Sequence, residues 1–167
     1  MPEKQTLERA RRARRRGKSP STQSGEFVRE EIHHIREGKH GARSTKQAIA
    51  IGLSKARRAG VNLPPPEKGA VSEKTRRSAT RAYQAGQGRR PKTSRRRSRA
   101  IALALKRETR HAASRKALSR QARSAARRRT RSARSASARR AAQTKGRKGR
   151  SAAARKAART RARRGLG

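Results

Sequence analysis

The chain has no cysteine, no tryptophan and no aspartate, and a single phenylalanine and tyrosine among 167 residues. Without thiols there is no disulfide framework, thiolate metal site or cysteine nucleophile, a pattern that fits a reducing compartment. The shortage of rings disfavours sheet modules that stack single-stranded bases on aromatic platforms. Ile, Leu, Val and Phe together number 16, too few for an enzyme built on a large sheet or barrel. No stretch approaches the ~18 consecutive apolar residues of a membrane span, and residues 1–18 show no apolar run behind their charges, as a Sec-type signal would. Acid is scarce as well. Nine glutamates face 52 lysines and arginines, leaving +43.

What is abundant is arginine, 39 copies, and alanine, 31 copies. The charge is uneven: residues 1–20 carry +6, 21–41 carry −1, 42–61 and 62–91 carry +5 each, 92–118 carry +9, and 119–167 carry +19 with no acid. The near-neutral stretch coincides with the best apolar pattern, so compaction is expected there. The remainder repels itself unless a polyanion is present.

Two helices are predicted within a module at 24–63, preceded by a basic disordered arm at 1–23. Ser24 is the expected cap of the first, whose Phe27, Val28, Ile32 and Ile35 form one face, with Gly38 as its end. Arg29, Arg36, Glu30, Glu37 and His33 fill the expected wet side. The second helix opens with Ser44 and Gln47 as a capping-box pair and stops at Gly60. Ala48, Ile49, Gly52, Leu53, Ala56 and Ala59 share its packing face, with Gly52 permitting close approach of the first helix. The link from Gly38 to Arg43 suits an antiparallel hairpin. Val61 and Leu63 are expected to fold back before Pro64–Pro66 impose an extended exit.

Residues 64–93 read as a linker holding a short helix capped by Ser72 and ending at Gly86, with Tyr83 its only large ring. A basic helix is expected over 94–129, starting near Ser94. Within it Ala48–Leu53 (AIAIGL) is echoed by Ala100–Leu105 (AIALAL), either by compositional coincidence or as a second helix unit that borrows a partner in a dimer. In the second case Ile51 and Leu103, each opposite the paired aliphatics of its helix, are candidates for self-association. The tail, 130–167, is Arg/Ala-rich and expected to be disordered alone or helical on a polyanion. The fold class expected is therefore mostly α and disordered: a small helical hairpin followed by Arg/Ala-rich segments.

Phosphate binding is the chemistry these residues support, since a guanidinium offers a planar fork of donors and stays charged. The candidate contacts are Arg11, Arg12, Arg14, Arg15 and Arg16 in the arm; Arg43, Lys46, Lys55, Arg57 and Arg58 around the second helix; Arg95, Arg96, Arg97 and Arg99 at the start of the basic helix; Arg127, Arg128 and Arg129 at its end; and Arg139, Arg140, Arg147, Lys148, Arg150, Arg163 and Arg164 in the tail. Double-stranded DNA is the favoured partner. Arg-rich helices also bind folded RNA without aromatic rings, so RNA stays open as an alternative. Base reading by the second helix is less well supported, because exposed Lys55 and Arg58 are equally explained as backbone contacts.

Other chemistries find less support. His33 and His34 are about 100° apart on a helix, His40 lies beyond Gly38 and His111 is remote, so no metal site is expected and the histidines read as surface groups paired with Glu30 or Glu37. Glu30, Glu31 and Glu37 lack the surrounding apolar mass that tunes a catalytic carboxylate. No glycine-rich phosphate loop follows a strand. No catalytic residue and no cofactor are expected.

The segment Ser19–Pro66, with EGKHG at 37–41 and STKQAIAIGLSKARRAG at 44–60, resembles an uncharacterised bacterial family of small basic proteins commonly labelled DNA-binding. SRAIALALKRE at 98–108 and AASRKALSRQARSAA at 112–126 extend the likeness, and the tail is similar in composition to bacterial histone-H1-like proteins. That resemblance implies no catalytic residue or cofactor; its KQAIAIGLS core maps onto Lys46–Ser54. Together with the charge pattern it leads to the expectation of a non-catalytic, nucleoid-associated protein of the cytoplasm that coats or compacts DNA, with an RNA- or ribosome-associated protein or a sequence-specific regulator as alternatives.

Overall fold

The computed structural model describes residues 2–88, 94–163 and 165. Among these, 76% are helical and no β-sheet forms, so the α class expected from the sequence holds. The α-carbon contacts divide the chain into two units, Met1–Gln121 and Ala122–Gly167.

The first unit begins with α1, Lys4–Arg15, in a region expected to be a disordered arm. Its spacing explains the difference. Thr6 and Ala10 are buried and Leu7 packs beside them, giving an arginine-rich helix one narrow buried stripe. The second helix, α2, spans Pro20–Arg36 and starts one turn earlier than Ser24. Ser19 is the cap, its Oγ accepting from the Thr22 amide, and Pro20 follows at the first helical position where its missing N–H costs nothing. Ser24 is fully buried and donates to the Pro20 carbonyl at 2.8 Å.

Helix α3, Thr45–Arg58, starts where the sequence placed it: Ser44 Oγ accepts from the Gln47 amide at 3.2 Å. The reciprocal arm of the box is shifted by one residue, Gln47 Oε1 accepting from the Arg43 amide at 2.8 Å. Early α3 meets late α2 through Ala48, Ile32 and Ile35, and late α3 meets early α2 through Ala56 and Phe27, which defines an antiparallel pair. At their crossing a Cβ on Gly52 would stand 2.7 Å from the Val28 Cα, so the helices approach as closely as only glycine allows. Ala48, Gly52 and Ala56 form the buried stripe, Ile49 and Leu53 are half-buried, and Ala59 is exposed. Val61 and Leu63 fold back onto Phe27, Ala56 and Ala10 as expected.

The packed region extends beyond 63. Helix α4, Glu73–Gly86, is capped by Ser72 and lies against α3; Tyr83 Oη donates to Asn62 Oδ1 at 2.7 Å. The continuous basic helix expected over 94–129 is instead α5, Arg95–Arg107, then a 3-10 turn, Arg110–Ala113, then α6, Arg115–Arg127. The interruption is a docking point. The Gly41 amide donates to the Leu105 carbonyl and the Ala42 amide to the Thr109 carbonyl, while Thr45 Oγ1 and Arg36 Nε donate to the Ala112 and Ala113 carbonyls. Ala112 and Ala113 are buried with Ile32, Ile35, Ala42 and Ala48, and Leu118 packs against the same cluster.

The second unit takes in the end of α6 and α7, Arg131–Arg163, a helical run broken at Gly146, where φ 62° and ψ 179° leave helical space. This differs from the expected disorder. No residue of α7 is buried, so its helicity follows from alanine and arginine propensity rather than packing.

Candidate nucleic-acid interface

Of the cations singled out in the sequence, most face solvent. Arg11, Arg12, Arg14, Arg15 and Arg16 are exposed at the end of α1 and its cap, Arg43 and Lys46 around the start of α3, and Arg58 at its last turn. Arg95, Arg96, Arg97 and Arg99 are exposed in the first turns of α5, and Arg127, Arg128 and Arg129 where α6 ends. Arg139, Arg140, Arg147, Lys148, Arg150 and Arg163 are exposed along α7, whose basic residues are spread around the helix without an amphipathic face. Arg164 lies outside the described residues.

Two members of the set are committed elsewhere. Arg57 is only 6% exposed, with Nε donating to the Leu63 carbonyl at 3.0 Å and Nη2 to the Pro64 carbonyl at 3.1 Å. Burial lowers its pKa, and the guanidinium serves the fold by tying α3 to the proline exit. Lys55 points into a cluster of carboxylates on α2 rather than outward. Among the described residues, none of the exposed candidate cations is paired with a carboxylate.

The carboxylates themselves are gathered where α1 and the loop after α2 meet α2. Glu30, assigned to the wet side by periodicity, is 6% exposed, and Glu31 is fully buried. Glu30 Oε2 accepts from the Glu3 amide at the start of α1. Glu31 Oε2 lies 2.5 Å from Lys55 Nζ and Oε1 lies 3.1 Å from His40 Nε2, yet neither oxygen lies in line with a hydrogen-bond donor. His34 Nε2 meets Glu3 Oε1 at 2.8 Å. The hydrogen bond from His34, with help from Lys39, holds the Glu3 carboxyl below its ordinary range, and Glu37 and then Glu3 raise the Lys39 ammonium.

No pair of histidines lies four apart in the chain, so the gathering is not visible as a helical His-x3-His pattern. The usable signal was a glutamate three residues before a histidine, Glu31 and His34, which share a helix face. His40 joins them only because the chain reverses at Gly38, φ 79°.

Residues 3–68 match the model of a family described as a family of unknown function (DUF6496), a span that runs from the start of α1 to the proline exit. The match covers less than half of the chain and reaches neither the docking turn at 110–113 nor the tail. No curated protein and no solved structure matches the chain. Among the described residues no helix is long and apolar enough to cross a membrane.

Proposed function

We propose that the chain is a non-catalytic, largely sequence-independent DNA-binding protein that compacts DNA in the nucleoid by neutralising backbone phosphates. One observation carries this reading: arginines exposed on every α-helix outnumber any acid that could pair with them, and beyond Glu108 there is no acid at all. Such a surface is a counterion reservoir that a polyanion releases on binding. The contact set is the exposed candidates alone, without Lys55 and Arg57. A basic helix with cations on all sides has no fixed face for reading bases, which favours phosphate over base contacts.

Removing 122–167 deletes 18 of the 52 cations. We expect duplex affinity to fall and the slope of log K against log salt to shrink by about 0.9 for each lost phosphate contact. Titration of unrelated duplexes and a structured RNA across a salt range checks this. An unchanged slope rejects the mechanism, and a preference of about 1000-fold for one duplex points instead to a specific regulator. Structured RNA outcompeting DNA at every salt concentration replaces the partner.

Self-association through α5 belongs to the same reading. Leu103 is 58% and Ile101 55% exposed, whereas Ile51 is half-buried within the first unit, so the face rests on α5. Leu103→Lys is expected to shift sedimentation toward the monomer without loss of helical circular dichroism; a strictly monomeric wild type removes this part of the proposal.

A further inference from the structure

The buried carboxylate of Glu31 is the feature that phosphate binding leaves unexplained. A fully buried glutamate with no aligned donor on either oxygen is costly unless a cation satisfies it. Lys55 accounts for Oε2. Oε1 faces His40 Nε2 at 3.1 Å. The other nitrogen of that ring, Nδ1, lies 3.0 Å from the Gly41 carbonyl, which can only accept, so Nδ1 carries the proton. With Nδ1 committed to that carbonyl, Nε2 is the ring atom that faces the carboxylate oxygen, and the pair is satisfied by a positive centre between them, a proton or a metal ion.

A third donor is within reach. One ligand atom from each of Glu31, His34 and His40 can be chosen so that all lie within 4.8 Å of one another. We propose that these three side chains bind a divalent transition metal of the zinc class, with one coordination position left to water. Two imidazoles and one carboxylate suit that class, with bonds of about 2.0–2.2 Å. The Gly41 carbonyl fixes the His40 tautomer, and Glu3, 2.8 Å from His34 Nε2, is placed to orient the other ring, the outer-shell arrangement that ligating histidines favour.

Electrostatics point to the same place. In a chain of net charge +43 a divalent cation is repelled almost everywhere. Here four carboxylates, Glu3, Glu30, Glu31 and Glu37, meet two ammonium groups, Lys39 and Lys55. Even with the Arg110 guanidinium beside Gly38, acid outnumbers base in this cluster, unlike the rest of the chain. A metal bound there would clamp α2 to the loop that leads into α3, and its affinity would appear as added fold stability.

The test is calorimetric titration of zinc chloride into the full-length, chelator-stripped protein, with histidine ring resonances and thermal unfolding followed in parallel. We expect one zinc per chain, a raised unfolding midpoint, and perturbed resonances of His34 and His40 while the exposed His33 and His111 stay unperturbed. His40→Ala and His34→Ala are each expected to weaken binding by about tenfold or more, and His33→Ala to leave it unchanged. Absence of saturable binding at micromolar zinc overturns the proposal. So does equal perturbation of all four rings, a readout that needs no variant to fold.

Discussion

The two units are built from nearly the same alphabet and solve opposite problems. In Met1–Gln121 a handful of large side chains, Phe27, Ile32 and Ile35, is buried by small ones, Ala42, Ala48, Ala56, Ala112 and Ala113, so that helices come close enough for few apolar atoms to suffice. Among the described residues of Ala122–Gly167 the alanines have nothing large to pack against, and helix α7 stands with no buried residue. Alanine is thus a core residue in one unit and only a helix former in the other. The difference lies in the partner, not the residue.

The comparison is tested most strongly by amide exchange in the free protein combined with Phe27→Ala. Amides of α2 and α3 are expected to be protected on the order of a thousandfold or more, and those of α7 close to the unprotected rate, because an unsupported helix opens locally. Truncating the fully buried Phe27 should remove about 3–5 kcal/mol from the first unit and most of that protection, with α7 unmoved. Strong protection in wild-type α7 would break the distinction.

Gly52→Ala asks how far the first unit depends on close approach. The added methyl would meet the α2 backbone at Val28, which cannot swing aside as a side chain can. A loss of about 1–3 kcal/mol in urea unfolding is expected. The same change at Gly149 in the second unit, where the nearest atom is a lysine Cβ at 3.5 Å, should stabilise helix slightly.

The smallest effect concerns the seam of α1. Because the folded-state pKa of Glu3 is lowered, chiefly by its hydrogen bond to His34, its contribution is complete above the ordinary carboxylate range and fades as pH falls through the lowered value. Glu3→Gln is expected to flatten the acid limb of the thermal midpoint measured between about pH 6 and pH 3, and to leave the midpoint of α7 helicity unchanged. An acid limb identical to wild type would detach Glu3 from the docking of α1.

How much of this was legible follows the same division between large and small residues. Periodicity of Phe27, Ile32 and Ile35 and the Ser44 and Gly60 boundary signals were enough to read α2, α3 and their antiparallel pairing. The cap of α2 was misplaced because Ser24 and Ser19 are equivalent by residue type, and Pro20 was the deciding sign. Burial of Ala112 and Ala113 could not be read, since alanine recurs everywhere in the chain and carries no periodic contrast. Helix α1 escaped notice because Leu7 is its only large apolar residue. The Glu31, His34 and His40 cluster depended on a chain reversal, which no helical period encodes.

Gly146 divides α7 into stretches of 15 and 17 residues, each about 22–26 Å long at the helical rise. An unbroken rod of that composition would run for about 50 Å, longer than the ~34 Å turn of a duplex. A stiff rod of that length touches a winding groove only along a tangent and lifts its ends away from the phosphates. Two short rods joined at a glycine can take different headings, so on DNA each could follow a different part of the same turn, or one could leave for a neighbouring duplex. If the tail binds DNA as proposed, a single residue without a side chain sets whether it wraps one molecule or cross-links two.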